Sequence, residues 1–324
     1  MANYKGIKGY KVQSRASDPT ANEGQVWYNT ASSTLKYDTV GAGAWAAGGT
    51  VPASYYGGAL CGTQDSAILA GGVPGATNTS WTYNGTAWTS APTIGTARSN
   101  MNSGGTGTGT AGLIFGGEIP GSPYFSGDTE EWNGTGWSEK GDLTNDRMAM
   151  AGAGTSTASL CIQGAYPAGT NLVESWNGTS WTAGTATPLN RYAVMGGGTT
   201  TSALVCGGKI NTATSYDTSD EWNGTSWTST PTMNTGRRYG SRGATSGTSA
   251  LIFGGEAPPP VTKKTELWNG TSWTELADMS VLTQKNAGNG TATLALSVGN
   301  ESPNNGASEE WSGAPAVVKT VTVS

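Results

Sequence analysis

Histidine is absent from this 324-residue chain, and charged residues make up only 12% of it. Without an imidazole, Ser-His-Asp and Cys-His catalysis and all histidine-ligated metal sites are excluded. The three cysteines, Cys61, Cys161 and Cys206, lack the spacing of a zinc set and are predicted to be buried, reduced thiols. The sequence therefore predicts a protein that is not an enzyme, with no catalytic residue, no cofactor and no metal.

Long apolar runs and basic clusters are missing as well. No stretch approaches the roughly 20 apolar residues of a membrane span, and the first residues lack the apolar core of a signal peptide. The formal net charge is −5. Nucleic acid and membrane insertion are therefore not expected. Because so few residues are charged, the surface must consist largely of Thr, Ser, Asn and Gly. This composition favours an extracellular or virion protein over a cytosolic enzyme.

What the chain has in abundance is a repeated Trp-Asn-Gly-Thr-Xaa-Trp motif. Copies and variants of it begin 43 to 49 residues apart along the chain. Asn-Gly between alternating flanks predicts a two-stranded hairpin with a type I′ turn, and a period near 45 residues is typical of propellers. The tryptophans of these hairpins are predicted to be packing residues of the repeat: Trp88, Trp132, Trp137, Trp176, Trp181, Trp222, Trp227, Trp268 and Trp273.

Each hairpin follows an apolar run that ends in glycine, such as 112–117 and 250–255, and six such runs can be counted. A glycine-rich segment precedes each run, usually opened by a basic residue: Arg98, Arg147, Arg191, Arg237 or Lys285. One unit is then four strands, which is a propeller blade. From about residue 50 to the end, the chain resembles the Kelch family in these features. The resemblance implies an all-β propeller of four-stranded blades and says little about activity.

Six blades are favoured, because six complete units fit between residues 51 and 324. The strands around residues 27–45 could instead build a seventh blade with the alternating C-terminal strand. Residues 1–33 are assigned to an N-terminal arm and the start of a hairpin, and residues 34–324 to the propeller.

Residues 18–37 resemble segments of bacteriophage tail fibres and other virion proteins, through Gly-Gln-Val-Trp-Tyr-Asn-Thr followed by Leu-Lys-Tyr. The resemblance implies a phage structural protein of the tail or capsid, assembled in the host cytoplasm. On this reading the arm binds other virion proteins, several copies decorate each particle, and the propeller serves assembly or host-surface contact. The alternative is a lectin-like module that binds a surface glycan. A third class, a propeller glycosidase or lyase, would need carboxylates that converge at one mouth, and acids that keep the register of the repeat argue against it.

Acidic residues recur two places before the first hairpin tryptophan, at Glu130, Glu174, Asp220, Glu266 and Glu309. Because they keep the repeat's register, we expect them to anchor turns or to pair with the basic residues of neighbouring blades. Ligand contacts are more naturally sought off the register, in aromatic loops and in one cluster of arginines. The candidates are Tyr55, Tyr56, Tyr124, Phe125, Tyr166, Tyr216, Arg237, Arg238 and Arg242.

Overall fold

The computed structural model describes residues 13–17, 26–39, 43–101, 103–121, 124–166, 168–210, 215–257, 261–301, 304–313 and 317–320. Within these ranges the regular secondary structure consists of β-strands alone. They form seven four-stranded sheets and one two-stranded hairpin, Ala165–Tyr166 with Ala168–Gly169. The all-β prediction is therefore confirmed. The chain divides into two compact units, Ala44–Ser312 and a smaller one made of Met1–Gly43 with Gly313–Ser324.

The larger unit contains six of the four-stranded sheets, here numbered I to VI, and their strands pair antiparallel. The strands, from first to fourth, are Ala59–Thr63, Ser66–Ala70, Ser80–Tyr83 and Trp88–Ala91 in I; Gly105–Gly107, Gly112–Phe115, Thr129–Trp132 and Trp137–Glu139 in II; Ala151–Gly154, Ser159–Ile162, Val173–Trp176 and Trp181–Ala183 in III; Met195–Gly198, Ala203–Cys206, Ser219–Trp222 and Trp227–Thr230 in IV; Ser241–Ser246, Ser249–Phe253, Thr265–Trp268 and Trp273–Glu275 in V; and Ala287–Gly290, Leu294–Glu301, Asn304–Ser312 and Ala44–Ala47 in VI.

The first strands of the six sheets form a closed ring. Each contacts the first strand of the next sheet, and that of sheet VI contacts that of sheet I. The glycines of these strands are needed for this close approach: a Cβ on Gly105 would lie 2.7 Å from the carbonyl oxygen of Leu60 in the adjacent sheet. A closed ring of four-stranded antiparallel sheets is the architecture of a β-propeller.

The tryptophans of each hairpin pack against each other and join neighbouring sheets. The ring centroids of Trp176 and Trp181 are 5.4 Å apart. The Trp176 indole N–H donates to the carbonyl of Ser156 in its own sheet's inner turn, at 3.0 Å. The Trp181 indole N–H donates to the Thr129 hydroxyl of sheet II, at 2.9 Å. The first tryptophan therefore holds its own sheet together, and the second holds one sheet to the next.

Sheet VI takes its fourth strand from the other end of the chain. Ala44–Ala47 pairs with Asn304–Ser312 and sets Trp45 opposite Trp311, with ring centroids 5.5 Å apart. The Trp45 indole N–H also donates to the Thr265 hydroxyl of sheet V, at 2.8 Å. This explains why the last repeat lacks its second tryptophan: Trp45 supplies it, and the pairing closes the ring.

The predicted hairpins are confirmed, but the predicted type I′ turn is wrong. Trp132 pairs with Trp137, so four residues form the loop. Only Gly134 has a positive φ, of 92°, whereas a type I′ turn also needs one at Asn133. The Asn133 side-chain oxygen instead accepts the backbone N–H groups of Thr135 and Gly136, both at 3.0 Å. Asparagine acts here through its side chain, in an Asx turn.

The smaller unit is a four-stranded sheet of Gln13–Arg15, Val26–Asn29, Thr34–Thr39 and Val317–Thr320. The first pair is parallel and the other two are antiparallel. The boundary predicted at residue 33 thus differs from the structural division, because residues 34–39 pair both with the preceding strand and with the C-terminal strand. Residues 1–12 and 18–25, most of the predicted arm, lie outside the described residues.

Candidate binding site at one end of the ring

Buried ion pairs join the in-register acids to the in-register arginines. In sheets II to V these are Arg98–Glu130 at 2.7 Å, Arg147–Glu174 at 2.6 Å, Arg191–Asp220 at 2.5 Å, and Arg237–Glu266. The expected pairing thus exists, but both partners belong to one repeat, so the pairing between neighbouring blades is wrong. Contact with the preceding sheet is made instead by the arginine backbone, as where the Arg98 N–H donates to the Thr77 carbonyl at 3.2 Å.

Sheets VI and I replace this ion pair. In the regular repeats the carbonyl of the arginine accepts an N–H from the preceding repeat, as Arg147 does from Gly117. In repeat VI the carbonyl of Thr283 accepts the equivalent N–H, that of Gly255. Thr283, and not Lys285, therefore holds the arginine position. In sheet I, Tyr55 packs edge to face on Trp81 with ring centroids 5.7 Å apart. Burial raises the pKa of Tyr55 well above its usual value. Tyr55 and Arg237 are both fully buried, so the structure contradicts their assignment to ligand-contact loops.

A hydrogen-bonded belt of backbone encircles the end of the ring where the first strands begin. One residue of each repeat there has a positive φ: Gly57, Asn100, Ala149, Ala193, Tyr239 and Lys285. The belt closes through six N–H to carbonyl bonds, namely Met101 to Gly57 (3.1 Å), Ala149 to Asn100 (2.8 Å), Ala193 to Ala149 (2.8 Å), Tyr239 to Ala193 (2.9 Å), Lys285 to Tyr239 (2.9 Å) and Gly57 to Lys285 (2.6 Å). The belt fixes backbone that is unfavourable for non-glycine residues.

Two lysines and three tyrosines meet on one side of this belt, and we call them the tyrosine–lysine cluster: Tyr56, Tyr192, Lys209, Tyr239 and Lys285. The Lys209 Nζ lies 4.9 Å from the ring centroid of Tyr192 and 5.1 Å from that of Tyr239. The Lys285 Nζ lies 5.4 Å from the Tyr239 centroid and 5.9 Å from that of Tyr56. Repeats IV, V, VI and I all contribute, so the cluster exists only in the assembled ring.

The charges around the cluster are unevenly matched. Arg238 makes a two-point ion pair with Glu256, at 2.5 and 2.9 Å, and Lys285 pairs with Glu301 at 2.7 Å. Lys209 is only 9% exposed, yet its side-chain ammonium makes no hydrogen bond or ion pair with any residue the structure describes. Burial lowers the pKa of Lys209, as do the charges of Arg238 and Lys285, while Glu256 opposes the shift.

Sequence reasoning found Tyr56 and Arg238 but missed the rest of this region. Tyr192 and Tyr239 follow the repeat's basic residues and look like inner-strand residues. The signal that could have identified the site is Lys209, which directly follows Gly207-Gly208 where other repeats place Val73, Glu118, Ala165 or Glu256. Only this repeat puts a cation at that point.

The other predicted contact residues are not among the described cation–π partners of the two lysines. Tyr124 is 57% exposed, and Phe125 and Tyr216 are half-buried, in loops between the second and third strands of sheets II and IV. Tyr166 lies in the short two-stranded hairpin between the second and third strands of sheet III, and its side chain is outside the described set. Among described residues, the cation–π partners of Lys209 and Lys285 are Tyr56, Tyr192 and Tyr239.

Arg242 fills the ring's centre rather than a loop, which corrects its prediction as a ligand contact. Its guanidinium donates to the carbonyls of Gly105 at 2.7 Å, Gly152 at 3.0 Å, Gly288 at 3.4 Å and Gly196, on the first strands of four other sheets. A cavity of about 110 Å³, lined largely by glycines, lies beside it. Burial lowers the pKa of Arg242 to about 10, although Cys61 opposes the shift.

The three cysteines are buried and free, as predicted. Burial raises the pKa of Cys61 and Cys206 to about 12 and that of Cys161 to about 11. Because the thiolate is the reactive form, we expect iodoacetamide at pH 8 to leave the native protein unlabelled and to label three thiols after unfolding in guanidinium. Intact-mass measurement checks this. Labelling of the native protein at the rate of the unfolded chain would contradict it.

The described part of the chain also bears on metal binding and on membrane insertion. No group of three His, Cys, Asp or Glu side chains there could hold a metal ion. No helix in that part of the chain is long and apolar enough to cross a membrane.

A known protein structure is similar in fold to this chain. The solved structure of YjhT, a Kelch-type β-propeller protein, matches with a TM-score of 0.67 at 12% sequence identity, covering 84% of this chain and 99% of that one. At that identity the likeness establishes fold alone. It supports the Kelch-like propeller architecture suggested by the repeats. No family model and no curated protein matches the chain.

Proposed function

We propose that this chain is a non-enzymatic structural protein of a phage particle that presents a six-bladed, Kelch-like propeller. The blade count rests on the closed ring of six sheets, to which the Ala44–Ala47 strand supplies the last edge. The virion assignment is carried by the phage-like segment at residues 18–37. Its described strands, with the C-terminal strand, belong to a compact unit separate from the propeller. That unit would bind other tail or capsid proteins, in several copies per particle.

The proposal of a non-enzymatic protein is supported by the positions of the acidic residues that recur in each repeat. A glycosidase needs two carboxyl groups that reach the same sugar bond. Glu130, Glu174, Asp220 and Glu266 are each buried against their own arginine, in separate sheets. These carboxylates hold the fold together and do not converge on the mouth of the ring.

Mass spectrometry of density-purified phage particles tests the virion assignment. We expect the chain in the particle band at a constant ratio to the major structural proteins across neighbouring fractions. A host protein of similar abundance in the lysate serves as the control for contamination. If the chain is lost from the band together with that control, the virion proposal fails, while the binding proposal below is unaffected.

A second candidate function is that of a lectin-like module that binds a surface glycan. It is favoured by the tyrosine–lysine cluster. Half-buried tyrosine rings can stack on the apolar faces of sugars, and their hydroxyls can form hydrogen bonds with the hydroxyl groups of the sugar. A glycan array probed with the full chain tests this function. Turnover of any bound glycan, followed by chromatography, would move the protein to the enzyme class.

A further inference from the structure

The tyrosine–lysine cluster contains one ammonium, that of Lys209, which forms no ion pair with a described carboxylate. We infer that it binds a glycan bearing a single negative group, a carboxylate or a phosphate, which Lys209 receives between Tyr192 and Tyr239. This inference rests on the second candidate function, glycan binding, and specifies the ligand of that site.

Lys209 is the first support. The residue is only 9% exposed, and its ammonium faces two aromatic rings without an ion pair or hydrogen bond to the described residues. Burying a charge is unfavourable unless it is paired. Ring faces compensate in part through the cation–π interaction, but they supply no counter-charge. An anion at the Nζ would complete the arrangement.

The neighbouring charges limit the ligand to one negative group. The region contains three cations, Lys209, Arg238 and Lys285, and two nearby acids, Glu256 and Glu301. Glu256 pairs with Arg238 and Glu301 pairs with Lys285, so Lys209 has no acid of its own. Glu118, which follows the second strand of sheet II, accepts a hydrogen bond from the side chain of Asn100. A second negative group on the ligand would therefore approach Glu256 or Glu301, which is repulsive.

The backbone of the tyrosine–lysine cluster is also held in place before any ligand binds. Tyr192 and Lys209 exchange both backbone hydrogen bonds, at 3.0 and 2.9 Å, and Tyr239 uses both its N–H and its carbonyl in the belt. Fixing these groups in advance lowers the ordering cost of binding. The tyrosine rings remain half-buried, which leaves part of each ring open to solvent.

The test compares matched ligands by isothermal titration with the full chain. The probes are a glucuronate-containing oligosaccharide, its neutral glucose counterpart, and the same glucose oligosaccharide carrying one phosphate. We expect the better anionic probe to bind about tenfold more tightly than the neutral one, with a preference that shrinks as salt is added. The carboxylate and phosphate arms show which group is recognised.

Variants locate the site. Lys209→Met should reduce the anionic preference to less than about twofold, because the charge that carries it is gone. Lys209→Arg keeps the positive charge and should retain the preference. Lys140→Met, which removes a half-exposed lysine on the outer edge of sheet II, should change nothing. Equal binding of neutral and anionic probes overturns the inference alone. Binding of no glycan overturns it together with the lectin function, and an unchanged preference in Lys209→Met places the anion elsewhere.

Discussion

Replacing Glu174 with glutamine is expected to lower the free energy of unfolding by about 3–5 kcal/mol, the usual cost of breaking a buried ion pair on one side. The carboxylate accepts from Arg147 at 2.6 Å and, through its other oxygen, from the N–H and hydroxyl of Thr144 at 2.7 and 2.6 Å. A glutamine amide offers only one oxygen. Its NH₂ group must face either the guanidinium or the Thr144 N–H.

Urea unfolding followed by tryptophan fluorescence measures this loss. Glu131→Gln is the control, because Glu131 makes a partly exposed pair with Lys140 in the equivalent strand of sheet II, and it should cost no more than about 1 kcal/mol. Replacing both Arg147 and Glu174 with methionine should recover part of the stability, since no buried charge is then left unpaired. Equal losses in Glu174→Gln and Glu131→Gln would show that the buried pairs do not stabilise the ring.

Arg242→Met is expected to destabilise the protein by at least about 3 kcal/mol, since each hydrogen bond from a charged donor contributes roughly 1.5–3 kcal/mol. The guanidinium joins carbonyls from sheets II, III, IV and VI to sheet V. A methionine fills similar volume and donates nothing. The adjacent cavity of about 110 Å³ can admit water, which replaces some of the bonds but does not connect the strands.

Arg242→Lys is the matched variant for this second prediction. It keeps the charge but has three donors on one nitrogen in place of the planar five-donor group. We expect its loss to fall between wild type and Arg242→Met in the same urea experiment. An Arg242→Met protein as stable as wild type would mean that the centre of the ring is held by the glycine strands alone.

Local patterns predicted the elements of this protein well, because each of them is encoded within a few residues. Glycine-terminated apolar runs became the second strands, and the Asn-Gly hairpins became the third and fourth. The turn type was mistaken for a specific reason. Asn-Gly suits a type I′ backbone, but the Asn133 side chain can also cap two N–H groups, and the four-residue loop between the paired tryptophans uses that option.

Pairings between distant parts of the chain were harder to foresee. The acids and arginines keep the same register, so sequence alone could not decide whether Arg147 reaches Glu174 or the acid of an adjacent repeat. Tyr55 and Lys285 occupy places where the repeat is altered, and one became core while the other joined the belt. Such choices depend on the distance between repeats, which short-range patterns do not encode.

The sequence by itself determined the all-β class, the repeating unit and its hairpins, because strand periodicity and turn chemistry are local properties. Only the tertiary structure decided how the ring closes through Trp45, how Arg242 fills its centre, and which side chains meet at its mouth. Tyr192, Lys209, Tyr239 and Lys285 come from three different repeats. They become neighbours because ring closure places the starts of adjacent first strands side by side.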